Sequence, residues 1–168
     1  PGMANWMEFI GNAWTGTGDQ VDYFLMDVRD VADSVWTPCA QEEGTHRCPE
    51  AIRQLPAVLE GDTRTAVSNA FDQYNCSTAN ESGGEYVYVL NIRDEGTLSL
   101  DVESDDPEAD PDIHLLSGDD ANACLARAHE GLTYDVSPGR YLVVVDSWVN
   151  GDDVVLDGHY RLLISLED

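Results

Sequence analysis

The chemistry this chain offers most readily is carboxylate chemistry. The stretch SDDPEADPD at 104–112 places Asp105, Asp106, Glu108, Asp110 and Asp112 within eight residues. Calcium takes about six to eight oxygen ligands from carboxylates and carbonyls, and a turn with alternating aspartates supplies several at once. Pro107 and Pro111 stiffen the turn and lower the entropy cost of gathering the charges. Asp119 and Asp120 follow the next apolar run and can return to the same end of a sheet, and Asp146 ends an apolar run within reach of a loop-borne ion. The candidate metal set is therefore Asp105, Asp106, Asp110, Asp112, Asp119, Asp120 and Asp146, with calcium as the cofactor. A solvated, self-repelling acidic loop is the competing reading. The spacing does not match an EF-hand loop. A second acidic stretch, NGDDVVLDG at 150–158, carries Asp152, Asp153 and Asp157 and reads first as a hairpin connection opened by an Asn-Gly turn.

Catalytic patterns are missing. A Ser-His-Asp triad needs a placed nucleophile, and no GxSxG is present. The histidines, His46, His114, His129 and His159, are isolated from one another; His114 shares a strand face with Asp112 by period two. With 33 acidic residues some carboxylate pair is inevitable, so a glycosidase pair has no value as a signal. No HExxH, phosphate-loop or dinucleotide motif occurs. The expectation leans against an enzyme, and no catalytic residue is assigned. Trp14, Trp36 and Trp148, with Tyr74 and Tyr134, are the aromatic residues from which a platform for sugar rings or peptides could be built; Trp148 and Tyr134 are the binding candidates. Packing in the core is the simpler use of these rings.

Cysteine chemistry is the next signal. Cys39, Cys48, Cys76 and Cys124 permit two disulfides in three pairings. Cys39 and Cys48 flank a short polar segment, so a local bridge is natural, and Cys76 and Cys124 would then close a long loop. Such staples suit a secreted or cell-surface protein. No CxxC pair is present to suggest zinc.

Net charge is -25, from 33 acidic residues and eight basic ones, all arginine. Such a surface repels nucleic acid and anionic membranes and suits cations or a basic partner. No run is long and apolar enough for a transmembrane segment.

The elements that must position these groups are strands. In EYVYVLNIR at 85–93, Tyr86, Tyr88, Leu90 and Ile92 share a face, with Val87 and Val89 opposite. TLSLDVES at 97–104 alternates cleanly, with Leu98, Leu100 and Val102 inward. DIHLL at 112–116 and GLTYDV at 131–136 are short strands. GRYLVVVDSW at 139–148 is apolar on both faces, and GHYRLLISL at 158–166 turns Tyr160, Leu162, Ile164 and Leu166 one way. VDYFLMDV at 21–28 reads as a strand, AIRQLPAVL at 51–59 as a short helical turn, and TRTAVSNAF at 63–71 as an edge strand. Short strands at intervals of about ten residues, separated by Gly, Pro and Asp turns, predict an all-β, jelly-roll-like antiparallel sandwich over 61–168. Residues 1–60 are an extension or extra strands.

These residues also carry a resemblance. GDTRTA at 61–66, FDQYNCS at 71–77, GGEYVYVLNI at 83–92, GTLSLDV at 96–102 and DPDIHLL at 110–116 match in order, followed by ACLAR at 123–127 and the two closing strands. Residues 61–167 resemble the bacterial pre-peptidase C-terminal domain family, in the form found in secreted myxobacterial proteins. The resemblance implies a non-catalytic sandwich appended to exported hydrolases. It further implies a role in secretion, stability or attachment, sometimes with calcium, and a partner that is an upstream hydrolase domain or an extracellular polymer. A carbohydrate- or peptide-binding module is one alternative. A C-terminal fragment of a secreted hydrolase, with its catalytic residues mostly outside this chain, is another.

Overall fold

The computed structural model describes Cys39 and residues 42–167. The strand expected at 21–28, and Trp14 and Trp36, lie outside the described residues. Residues from Glu42 onward form one compact unit. No helix of the described residues is long and apolar enough to cross a membrane.

The unit is a jelly-roll-like β-sandwich of two antiparallel-rich sheets. In chain order the strands are β1 (Glu50–Ile52), β2 (Ala57–Asp62), β3 (Tyr86–Ile92), β4 (Gly96–Glu103), β5 (Pro111–Leu116), β6 (Cys124–Ala128), β7 (Gly131–Val136), β8 (Gly139–Ser147) and β9 (His159–Glu167). One sheet has five strands in the order β1-β3-β8-β5-β6, and the other has four in the order β2-β9-β4-β7. Only the β1–β3 pairing is parallel among these strands.

Alternation puts one face of each sheet into a shared core. Tyr88, Leu90 and Ile92 of β3, Val143 and Val145 of β8, and Ile113 and Leu115 of β5 meet Leu98, Leu100 and Val102 of β4 and Tyr160, Leu162 and Ile164 of β9. Each fully buried aliphatic side chain is worth roughly 1.5–3 kcal/mol over exposure. The Tyr88 and Tyr160 hydroxyls hydrogen-bond to each other at 2.8 Å across the sandwich, so neither polar group is stranded in the core. Gly61 pairs with Tyr160 in the β2–β9 ladder, and a Cβ there would collide with the tyrosine ring and hydroxyl.

The five-stranded sheet is apolar on its outer face as well. Val87, Leu116, Leu142 and Val144 project there and form a second cluster with Phe71, Tyr74 and Cys124. What covers that face is the long connection from Thr63 to Glu85. Cys76 in this connection is disulfide-bonded to Cys124 at the start of β6, across 48 residues of sequence. Cys39 and Cys48 are also disulfide-bonded, and no described cysteine is free.

Two expected elements differ. The helical turn at 51–59 is replaced by β1 and β2, which lie in different sheets on either side of Pro56. Proline lacks the N–H a helix interior needs, and here the chain crosses between layers at that point. The edge strand expected at 63–71 is a 3-10 turn at Thr63–Thr65 followed by irregular chain. The Asp62 side chain accepts the Arg64 N–H at 3.0 Å, which caps the turn and stops β2 from running on. Beyond it, only Ser68 makes a bridge, opposite Glu85.

A Cys76→Ser/Cys124→Ser double variant should lose about 2–4 kcal/mol of stability, because the closed loop constrains the unfolded chain. Urea denaturation of the wild type and the variant, with the other bridge left intact, checks this.

Candidate functional site

The connection from Thr63 to Glu85 traps ionisable groups as well as apolar ones. Period two along β5 and β8 sends Asp112, His114 and Asp146 to the same outer face as Leu142 and Val144, and Asp112 lies directly opposite Asp146 in the ladder. The connection lays Tyr74, Glu81 and Glu85 over them. Glu81, Glu85, Asp112, His114 and Asp146 are all fully buried.

A buried charge must be paired, hydrogen-bonded or neutralised. Glu85 accepts from the Ala70 and Phe71 backbone N–H groups, and from the Ser68 hydroxyl, so it pins the connection to the sheet. Asp146 accepts the Tyr74 hydroxyl at 2.7 Å and the Ser147 N–H at 2.8 Å. Burial nevertheless pushes both the Asp146 carboxyl and the Tyr74 hydroxyl well above their usual ranges, which favours their protonated forms. The His114 ring stacks on Tyr74 with centroids 3.6 Å apart, and neither ring nitrogen has a hydrogen-bond partner among the described residues. Burial drives its pKa down to about 3, so the ring is neutral, and its 3.6 Å approach to Glu81 is not a charge pair at neutral pH.

At the β6 margin the layer meets solvent. Arg127 pairs with Asp112 and stands 3.6 Å from Glu81. Burial raises the affinity of both carboxyls for a proton, and Arg127 opposes that rise. Just outside, His129 Nδ1 lies 2.9 Å from Asp112 Oδ1 and 3.2 Å from Asp110 Oδ1. Hydrogen bonding to Asp112 holds the His129 ring above its ordinary range, and burial raises Asp110.

Asp110 and His129 also line an open groove of about 1170 Å³ between β4, β7 and the 104–111 turn. Its other charged lining residues, Asp101, Glu103, Asp106 and Glu130, are all acidic.

The seven candidate metal ligands therefore do not converge on one point. Asp110 and Asp112 come together, joined by His129. Asp105 faces His159 at 3.3 Å, while Asp106 meets Arg64 at 3.4 Å and accepts the Glu108 N–H. Asp119 pairs with Arg140, and Asp120 caps the 3-10 turn at Ala121–Ala123. Asp146 is sealed against Tyr74. Of the binding candidates, Tyr134 packs half-buried against the main core, and Trp148 is half-buried just beyond β8. Sequence reasoning missed Glu81, Glu85 and Arg127 as partners in this region, and treated His129 as isolated. The available signal was Asp146, an acid in register with Leu142 and Val144 on a face that had to be covered.

No family model matches the chain, and no curated protein does. Among solved structures, the pre-peptidase C-terminal domain of collagenase from Bacillus anthracis is 20% identical, with a TM-score of 0.47, over 70% of this chain and 97% of that one. PliG of Aeromonas hydrophila, a periplasmic inhibitor of g-type lysozyme, is 12% identical with a TM-score of 0.49, over 75% and 98%. CBM35 from Cellvibrio japonicus Abf62 is 9% identical with a TM-score of 0.32, over 67% and 99%. None of these likenesses assigns a function.

Because His114 is neutral when folded but takes a proton near its ordinary pKa of 6.5 when unfolded, it costs stability progressively as pH falls from 6.5 toward 3. A His114→Phe variant keeps the stack and removes that proton. Its stability relative to wild type should improve by on the order of 1 kcal/mol per pH unit below pH 6.5. Chemical denaturation of both proteins at pH 7 and pH 4.5 reads this, and an unchanged difference would sink the assignment.

Proposed function

We propose that this chain is a non-catalytic accessory domain of an exported protein, which attaches to a cationic partner through its acidic groove. The observation that carries the reading is the groove itself, where five carboxylates, on Asp101, Glu103, Asp106, Asp110 and Glu130, surround one imidazole. Concave walls of one charge sign focus the field and attract the opposite charge. The partner is an extracellular polymer bearing cationic groups or a basic stretch of an upstream hydrolase domain. The oxidised cysteines support an exported location, since such bridges persist in oxidising compartments. The order of motifs across 61–167, with its resemblance to pre-peptidase C-terminal domains, supports an accessory role. Calcium belongs to the same reading. It is a hard cation that takes carboxylate oxygens, the donors in which this groove is rich.

Attachment is read by co-sedimentation of the full chain with partially deacetylated chitin, cellulose and alginate. Retention is expected on the cationic polymer alone. It should fall several-fold in an Asp101→Asn/Glu103→Gln/Glu130→Gln variant and persist in Asp152→Asn/Asp153→Asn, which removes charge outside the groove. Equal loss in both variants would mean that net charge alone drives retention, and would overturn the reading.

For calcium, the metal-stripped chain is melted with and without millimolar calcium. A rise in Tm with calcium, and none with magnesium, is expected for an ion that binds the folded state. An equal rise with magnesium or with added salt means general screening of the -25 surface and removes calcium from the function.

A further inference from the structure

We propose that Asp110, Asp112 and His129 form a binding site for a divalent transition ion of the zinc class, at the β5–β6 end of the acidic groove. The three donor atoms lie within 4.8 Å of one another. One nitrogen, His129 Nδ1, faces two carboxylate oxygens at 2.9 and 3.2 Å, and a single N–H cannot satisfy both well. Three donors crowded on a common point form the inner face of a coordination sphere. The backbone holds them there. Ile113 pairs with Ala128 in the β5–β6 ladder, so Asp112 and His129 follow as the next opposed positions.

The buried side of the cluster is an independent indication. Glu81 is fully buried, and neither carboxylate oxygen has a partner within hydrogen-bond distance among the described residues. It lies against Asp112 and 3.6 Å from Arg127 Nη2, the group that also grips Asp112 Oδ2. The arginine thus fixes one oxygen of Asp112 and leaves Oδ1 turned toward His129 and Asp110. Outer partners of this kind orient a metal-binding carboxylate. Asp110, Asp112 and Glu81 set three carboxyls around the Arg127 guanidinium and the His129 ring, and a divalent ion that takes the place of the His129 proton brings one further positive charge to the cluster. Asp110 and His129 are solvent-accessible, His129 being 57% exposed, so an ion can enter and its outward positions stay open to the groove.

Ligand type sets the ion class. Calcium and magnesium take oxygen donors, whereas an imidazole with two carboxylates suits zinc, cobalt or nickel. The imidazole donor distinguishes this site from a calcium site built of oxygen ligands alone.

The test is calorimetric titration of the metal-stripped full chain with zinc, and separately with calcium. Cobalt absorption in the visible reports a nitrogen-containing coordination sphere. One equivalent of zinc should bind at least about tenfold more tightly than calcium at this site. His129→Ala and Asp110→Asn should each weaken zinc by about tenfold or more and abolish the cobalt bands. His159→Ala, which alters the separate His159–Asp105 contact, should bind zinc as the wild type does. Both ligand variants lie at accessible positions, and an unchanged metal-free Tm confirms that they fold. Zinc binding that survives His129→Ala, or calcium binding as tight as zinc, overturns the proposal. Polymer retention measured in chelator tests the attachment reading alone, so the two fail separately.

Discussion

Everything in this sandwich depends on a covering contact: the chain between Asp62 and Tyr86 lies across the outer face of the five-stranded sheet. A sheet in a two-layer protein normally leaves one face to water. Here β5 and β8 are buried on both sides, and the cover is not a regular element with its own hydrogen-bond ladder. It is held by a few strong points. The Cys76–Cys124 bridge ties its middle to β6, Glu85 gathers backbone donors at its end, and Tyr74 packs on His114 while donating to Asp146. An irregular segment has unpaired backbone groups, and a carboxylate that accepts them is a compact solution. The buried acids are thus a consequence of the cover's irregularity.

How much of this was legible in the sequence follows the same division. Strands β3, β4, β8 and β9 could be read directly, because an inward face of Leu, Ile, Val and Tyr at period two has no competing explanation. The double-sided character of β8 was also visible in LVVV. The cover was not, since residues 63–85 have no periodicity and fold by tertiary contact alone. The acids posed a different difficulty. In a chain with 33 of them, Glu81 and Glu85 look like any others, and burial is a property of what lies above them. Asp105, Asp106, Asp110 and Asp112 are neighbours in sequence, yet a turn stiffened by two prolines sends Asp105 to His159, Asp106 to Arg64, and only Asp110 and Asp112 to a shared partner. His129 joins Asp110 and Asp112 only because a β-hairpin brings position 129 opposite 112.

The arginines show how so acidic a surface is organised. Arg64 serves Asp62 and Asp106, Arg127 serves Asp112 and Glu81, Arg140 serves Asp119, and Arg161 reaches Glu103 at 3.5 Å. Apart from Arg127 these are exposed pairs, worth little each for stability. Their effect is on the field: Arg64 and Arg161 each offset one carboxylate of the groove, and its remaining acids, Asp101, Asp110 and Glu130, keep it negative.

The composition of the covered face also bears on how the protein behaves when it opens. Local openings expose segments with few regular hydrogen bonds first, and the cover is such a segment. A bare sheet of Leu142, Val144 and Leu116 alone would be a sticky surface inviting contact with other chains. Interleaved with Asp112, His114 and Asp146, the same face acquires negative charge as soon as water reaches it. Inward-pointing charges of this kind are a natural guard against edge and face association. The buried acids, a cost in the closed state, therefore make the opened state mutually repellent and favour reclosure over aggregation.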